Sequence, residues 1–144
     1  MNKVYNKVME FRKQFHGGFA WRIKKHSDVV EMHLNPDEEV LFAFPGQKND
    51  NFWNIFETCV VCLTNHRILI GQKNLIFGYS LTSITPDLFN DMEVYQGLFF
   101  GKVVIDTIKE VVVLTDLDKH SLPAIETNVT QLMMQEKMKY GSQK

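Results

Sequence analysis

Val4, Val8, Phe11 and Phe15 recur at intervals of three and four, with Lys3, Lys7, Glu10 and Lys13 between them. That spacing puts the four apolar residues on one narrow stripe of an amphipathic helix. Gly17-Gly18 is expected to end it as a left-handed C-cap. Phe19 to Ile23 predicts the start of a second short helix, and Ser27 the cap of a third through Val29, Val30 and Met32. Asn35-Pro36-Asp37 breaks the helical stretch.

From Glu39 to Thr115 the pattern changes to short runs of β-branched and aromatic residues. Strands are predicted at 39–45, 54–63, 67–71, 76–83, 91–96, 102–107 and 110–115. Gly46 to Asn51, Thr64-Asn65-His66, Gly71 to Asn74 and Pro86 to Asn90 read as turns or loops, and Gly97 and Gly101 bracket a hairpin tip. Strands in succession with no intervening helix imply an antiparallel sandwich or barrel, not a parallel βαβ sheet.

A final helix is capped by Asp118 or Ser121, with Pro123 in its first turn, where a missing N–H is harmless. Leu122, Ile125, Val129, Leu132, Met133 and Tyr140, with Glu136 near the end, share an arc of roughly 100°. The stripe needs a groove and the strands need a cover. Both needs are met if the helix caps an open end of the barrel. The expected fold is mainly β with flanking helices: seven antiparallel strands in a bent barrel, capped by a C-terminal helix, plus an N-terminal helical extension.

The 144 residues suit one domain able to bury a core without disulfides or metal. They divide into an extension, 1–34, and a barrel with its helix, 35–144. No apolar run is long enough to span a membrane, and the charged N-terminus does not resemble a signal peptide. Cytoplasmic residence with reduced thiols is therefore expected. The net charge of −1 conceals a split. Residues 1–34 carry seven Lys and Arg against three acidic residues, and the remainder is net acidic.

Two stretches carry a family resemblance. CVVCLTNHRILIGQK, residues 59–73, has an apolar strand, then Leu-Thr-Asn-x-Arg, then a second apolar strand. YSLTSITPDLFNDMEVYQGLFFGKVVIDT, residues 79–107, holds a Gly-Leu-x-Phe-Gly hairpin leading into a Val/Ile strand. Together they resemble the bacterial PH-like domain family, in its YokE-like branch, over about residues 37–140. The resemblance implies a compact barrel used for binding or self-assembly, with no chemistry general to the family. Eukaryotic PH domains that bind phosphoinositides place several cations on the first two strands and their loop. Here Lys48 is the one basic residue between Val40 and His66, so no phosphoinositide ligand is expected.

The candidate chemistry is sparse. Cys59-x-x-Cys62 has half a zinc-site spacing, but residues three apart on a strand point to opposite faces. His16, His26 and His33 lack a carboxylate at a completing spacing. His66 reads as a turn residue, and Arg67 as the partner of a carboxylate or a turn carbonyl. Neither a nucleophile elbow nor a phosphate loop is present. No catalytic residue, metal or cofactor is expected.

Candidate partner-binding residues are aromatic or apolar. Leu98, Phe99 and Phe100 form a hairpin tip that is either an exposed contact or, as the family pattern implies, folded over a barrel end. Phe52 and Trp53 either anchor a ligand beside a loop or begin a buried strand. Phe11, Phe15 and Trp21 belong to the basic arm, which either docks on its own acidic barrel, the expected outcome, or lies on an anionic membrane. The reading is a non-catalytic module that binds a protein partner or itself, with a peripheral membrane tether through the arm as the alternative. Nucleic acid is not an expected partner, because the body is acidic.

Overall fold

The computed structural model describes residues 2–17, 20–48 and 57–142, with side chains as far as Gln135. Helix α1 spans Lys3–Gln14, and its first turn is capped by the Asn2 side chain, whose Oδ1 accepts the Tyr5 N–H at 2.8 Å. It ends with Phe15 in extended backbone, and Gly78 is the positive-φ glycine among the described residues. The helix thus stops before Gly17, and Gly18, the other residue expected to cap it, lies outside the described residues. Helix α2, Ile23–Glu31, runs through the segment expected to hold a helix capped by Ser27, while Phe19, the expected start of a preceding one, lies outside the described residues. Arg22 takes the left-handed turn into it, and Ser27 is buried mid-helix and caps nothing.

Seven strands follow: β1 Val40–Lys48, β2 Thr58–Thr64, β3 Ile68–Lys73, β4 Tyr79–Ile84, β5 Phe89–Gln96, β6 Phe100–Thr107 and β7 Val111–Asp118. They form one antiparallel sheet in the order β4-β3-β2-β1-β7-β6-β5. The sheet curls into a half-barrel with β4 and β5 as its edges. Several predicted turns are strand. Gly46 to Lys48 extend β1, Gly71 to Lys73 extend β3, and Phe89 and Asn90 open β5. Gly71 reads as a breaker but marks a close approach. A Cβ there would sit 2.5 Å from Val30 Cγ2, so glycine lets α2 lie directly on β3. Conversely, Ile76 and Phe77, predicted as strand, belong to the turn before β4.

Strand β2 is buried along its whole length, because both of its faces are covered. Cys59, Val61 and Leu63 face the half-barrel interior, with Phe44, Ile105, Leu114 and Leu117. Val60 and Cys62 face the other way, against Val4, Val8, Ile23 and Val30 from α1 and α2. A register shift between Val40 and Phe42 directs Val40 and Ala43 to the helices and Phe42 and Phe44 to the interior.

A short 3-10 turn, η1 Lys119–Ser121, leads into α3, Leu122–Ser142. Asp118 caps the turn by accepting the His120 N–H at 2.8 Å. Leu122, Ile125, Val129, Leu132 and Met133 enter the interior cluster, so α3 closes the core as expected. The side chains of Glu136 and Tyr140 lie outside the described residues. Leu132 is buried, and Leu132→Ala is expected to cost about 2–5 kcal/mol. A urea midpoint unchanged by that substitution would show that α3 is not part of the core.

Candidate functional site

The Leu-Thr-Asn-x-Arg motif builds a structural latch at the β2–β3 turn. Thr64 Oγ1 accepts the backbone N–H groups of His66 and Arg67, each at 3.1 Å, and donates to Glu38 Oε2 at 2.7 Å. Asn65 Oδ1 accepts the Glu39 N–H at 2.8 Å. Arg67 reaches Glu38 through Nη2 at 2.7 Å and through Nε at 3.1 Å. The same guanidinium donates to the His33 carbonyl and to Ser83 Oγ. It therefore joins the end of α2, the segment before β1, and β4. Burial alone would raise the Glu38 pKa. Hydrogen bonds from Arg67, Thr64 and the Asn35 N–H outweigh it and hold the carboxyl at about 2. Every polar group of this cluster is engaged within the fold, as the structural reading of Arg67 expected.

The other titratable candidates are dispersed. Cys59 and Cys62 lie on opposite faces of β2, and burial pushes both thiols up to about 12. His26 is buried under α2, where Nδ1 accepts the Lys73 N–H at 2.8 Å and burial lowers its pKa to about 4. His33 contacts the Val29 carbonyl and the Tyr79 hydroxyl, while His16 is exposed beside Asp118. His66 pairs with Asp37 at 3.3 Å on the surface. Among the described residues no three His, Cys, Asp or Glu side chains converge as a metal-binding group. A cavity of about 520 Å³ lies between α1 and the entry to β1. It is lined by Lys3 and Lys7 as well as Asp37, Glu38 and Glu39, charges of both signs.

The aromatic candidates separate into three groups. Phe11 is buried in a cluster with Phe15, Phe42 and Phe44, at ring-centroid distances of 4.9, 5.6 and 5.6 Å. Its side chain is part of the core, packed against Phe42 and Phe44. Phe15 is half-buried on the same cluster. Trp21 is half-buried, with the Arg22 guanidinium 5.1 Å from its ring. Phe52 and Trp53 lie outside the described residues. Leu98, Phe99 and Phe100 are 78, 75 and 45% exposed. They stand at the apex of the β5–β6 hairpin, closed by Gly97 N–H donating to the Phe100 carbonyl at 2.9 Å. The tip therefore does not fold over the barrel end, because Leu122, Ile125 and Val129 already fill that interior.

A curled antiparallel sheet of seven strands, closed by a C-terminal helix, is the architecture of a PH-type domain. The bacterial PH domain family model matches residues 34–131, and the chain belongs to that family. Its members are generally non-catalytic. Two solved structures are similar. One is a DUF1696-family protein with a pleckstrin-homology domain from Shewanella loihica PV-4, at 11% identity, covering 78% of this chain and 90% of that one, with a TM-score of 0.49. The other is a pleckstrin homology domain from Shewanella amazonensis SB2B, at 13% identity, covering 76% and 85%, with a TM-score of 0.44. No curated protein matches the sequence.

Proposed function

We propose that this chain is a non-catalytic binding and assembly module that engages a protein surface, a partner or a second copy, through Leu98, Phe99 and Phe100. The observation that carries this reading is the exposure of three consecutive large apolar residues at the tip of the β5–β6 hairpin, within a rim of mixed charge. Their surroundings suit a protein interface. Lys102 lies over the Tyr95 ring at 4.9 Å, Lys119 Nζ donates to the Leu98 carbonyl at 3.2 Å, and Glu93 hydrogen-bonds Tyr95. An apolar centre with a mixed-charge rim is the usual anatomy of such a contact.

The arm, 1–34, then acts as a cover for the barrel, 35–144, and not as a separate module. The apolar stripe of α1 is turned to the sheet, with Val4, Val8 and Phe11 buried, which supports this cover role for that helix. No helix of the described residues is long and apolar enough to cross a membrane. The reading places the protein in the cytoplasm, a setting in which Cys59 and Cys62 stay reduced.

Sedimentation velocity over a concentration series tests this reading, run with and without proteins captured on the immobilised chain. Leu98→Ser/Phe99→Ser is expected to weaken the association at least tenfold, since residues at the centre of an interface are commonly worth about 2 kcal/mol each. Because the two side chains are exposed, the melting temperature should not change. Association of the variant equal to wild type would end this assignment.

A further inference from the structure

A second apolar apex lies on the β3–β4 hairpin. The turn is tight: the Asn74 N–H donates to the Gly78 carbonyl at 3.1 Å, and Gly78 takes φ +72°. Between them Leu75, Ile76 and Phe77 are 60, 77 and 86% exposed, with Phe77 the most exposed large apolar side chain among the described residues. Nothing in the described fold covers these three side chains.

The base of this hairpin is cationic. Arg22 Nη1 donates to the Asn74 carbonyl at 3.4 Å, which brings the start of α2 beside the turn. Lys24 and Lys25 follow in the first turn of that helix, and Lys73 is the last residue of β3. Trp21 lines the same groove as Arg22, Lys73 and Leu75. Two carboxylates stand nearby. Glu57 also lines the groove and accepts from Gln72 Nε2 at 3.0 Å, and Asp28 pairs with Lys24 at 2.6 Å. Arg22, Lys24, Lys25 and Lys73 together outnumber these two carboxylates, so the base keeps a net positive charge.

We propose that the Leu75-Ile76-Phe77 apex inserts into an anionic bilayer surface, with Arg22, Lys25 and Lys73 meeting lipid phosphates at its base. A hairpin with unpaired backbone at its tip cannot enter hydrocarbon deeply, so the apex stops near the headgroup–acyl boundary. Cations a few residues below an apolar tip lie at headgroup level when it does, and a tryptophan ring suits that depth. The β5–β6 tip differs in this respect. There Asp118, paired across from Phe100, and Glu93 offset Lys102 and Lys119, so that rim carries no excess of cations. The two apices therefore present different chemistry, and this proposal does not depend on the protein contact assigned to Leu98, Phe99 and Phe100.

Co-sedimentation of the full chain with vesicles provides the test. Vesicles of phosphatidylcholine alone are compared with mixed phosphatidylcholine–phosphatidylglycerol vesicles at low and at raised salt. Binding is expected to the mixed vesicles and to weaken with salt. Ile76→Ser/Phe77→Ser should abolish it. Arg22→Gln and Lys73→Gln should each weaken it on the order of fivefold, the usual worth of one cation at an anionic surface. Leu98→Ser/Phe99→Ser should bind vesicles as wild type does. In an Ile76→Trp variant, the tryptophan emission should shift to the blue on adding mixed vesicles. The proposal is overturned if the wild-type chain does not pellet with mixed vesicles, or if Ile76→Ser/Phe77→Ser pellets equally well. It is also overturned if the apex variant loses a lipid-free association instead, which would assign the apex to a protein.

Discussion

Deleting residues 1–34 is expected to make the chain aggregate. The deletion uncovers the outer face of β1, β2 and β3, where Val40, Ala43, Val60, Cys62 and Leu69 lie beneath Val4, Val8, Ile23 and Val30. Burying a side chain of this kind contributes roughly 1.5–3 kcal/mol before ordering costs. The loss extends across the whole contact and leaves an apolar strip on a central strand. The arm's charges are a lesser term. Lys7–Glu10 and Lys24–Asp28 are exposed pairs within single helices, and such pairs are worth little.

A gentler form of the experiment keeps the chain whole. Phe11→Ala/Phe15→Ala should lower the melting temperature in lipid-free buffer. Truncating a buried phenylalanine costs about 3–5 kcal/mol. Phe15 is only half-buried and touches Phe11, so the two losses will not simply add. Unchanged melting together with lost vesicle binding would return the arm to the membrane. Light scattering of the deletion and a thermal melt of the double variant decide between these outcomes.

The second large effect is expected at Arg67. Arg67→Ala leaves the Glu38 carboxylate buried without its cation, and breaking a buried pair from one side costs about 3–5 kcal/mol. Glu38→Gln/Arg67→Ala should cost less than Arg67→Ala alone, because no unpaired charge then remains. The pH dependence follows from the lowered Glu38 pKa. Folding holds its carboxyl at about 2 against an ordinary 4.5, so its contribution is full above 4.5 and is lost as pH falls toward 2. Urea midpoints measured across that window should fall with acidity in the wild type and fall less in Glu38→Gln. Equal slopes would remove Glu38 from the latch.

The number of strands, the closing helix and the docked α1 stripe were readable because each depends on local periodicity. Val4, Val8 and Phe11 share a face whatever they pack against. Arg67 was readable as a paired residue, but Glu38 was not readable as its partner. The two are joined only when β1 and β2 align, and nothing local to either residue encodes that. Ile76 and Phe77 read as strand because both residue types favour β-structure, and only Gly78 hints at the turn. Gly71 misled in the opposite sense, since a glycine that admits a helix against a strand looks in sequence like one that reverses the chain. The exposure of Leu98, Phe99 and Phe100 depends on whether the barrel end has room for them. Three α3 residues, Leu122, Ile125 and Val129, occupy that space.

A photo-crosslinking amino acid at Phe99, compared with one at the exposed Met134 on α3, tests the central claim most directly. Irradiation of the full chain, purified and in native extract, should give a discrete adduct from position 99, with a second copy or with one recurring protein, and none of comparable yield from position 134. Position 99 yielding no adduct, or only the diffuse products that position 134 also gives, would contradict the assignment of the β5–β6 tip as the binding surface.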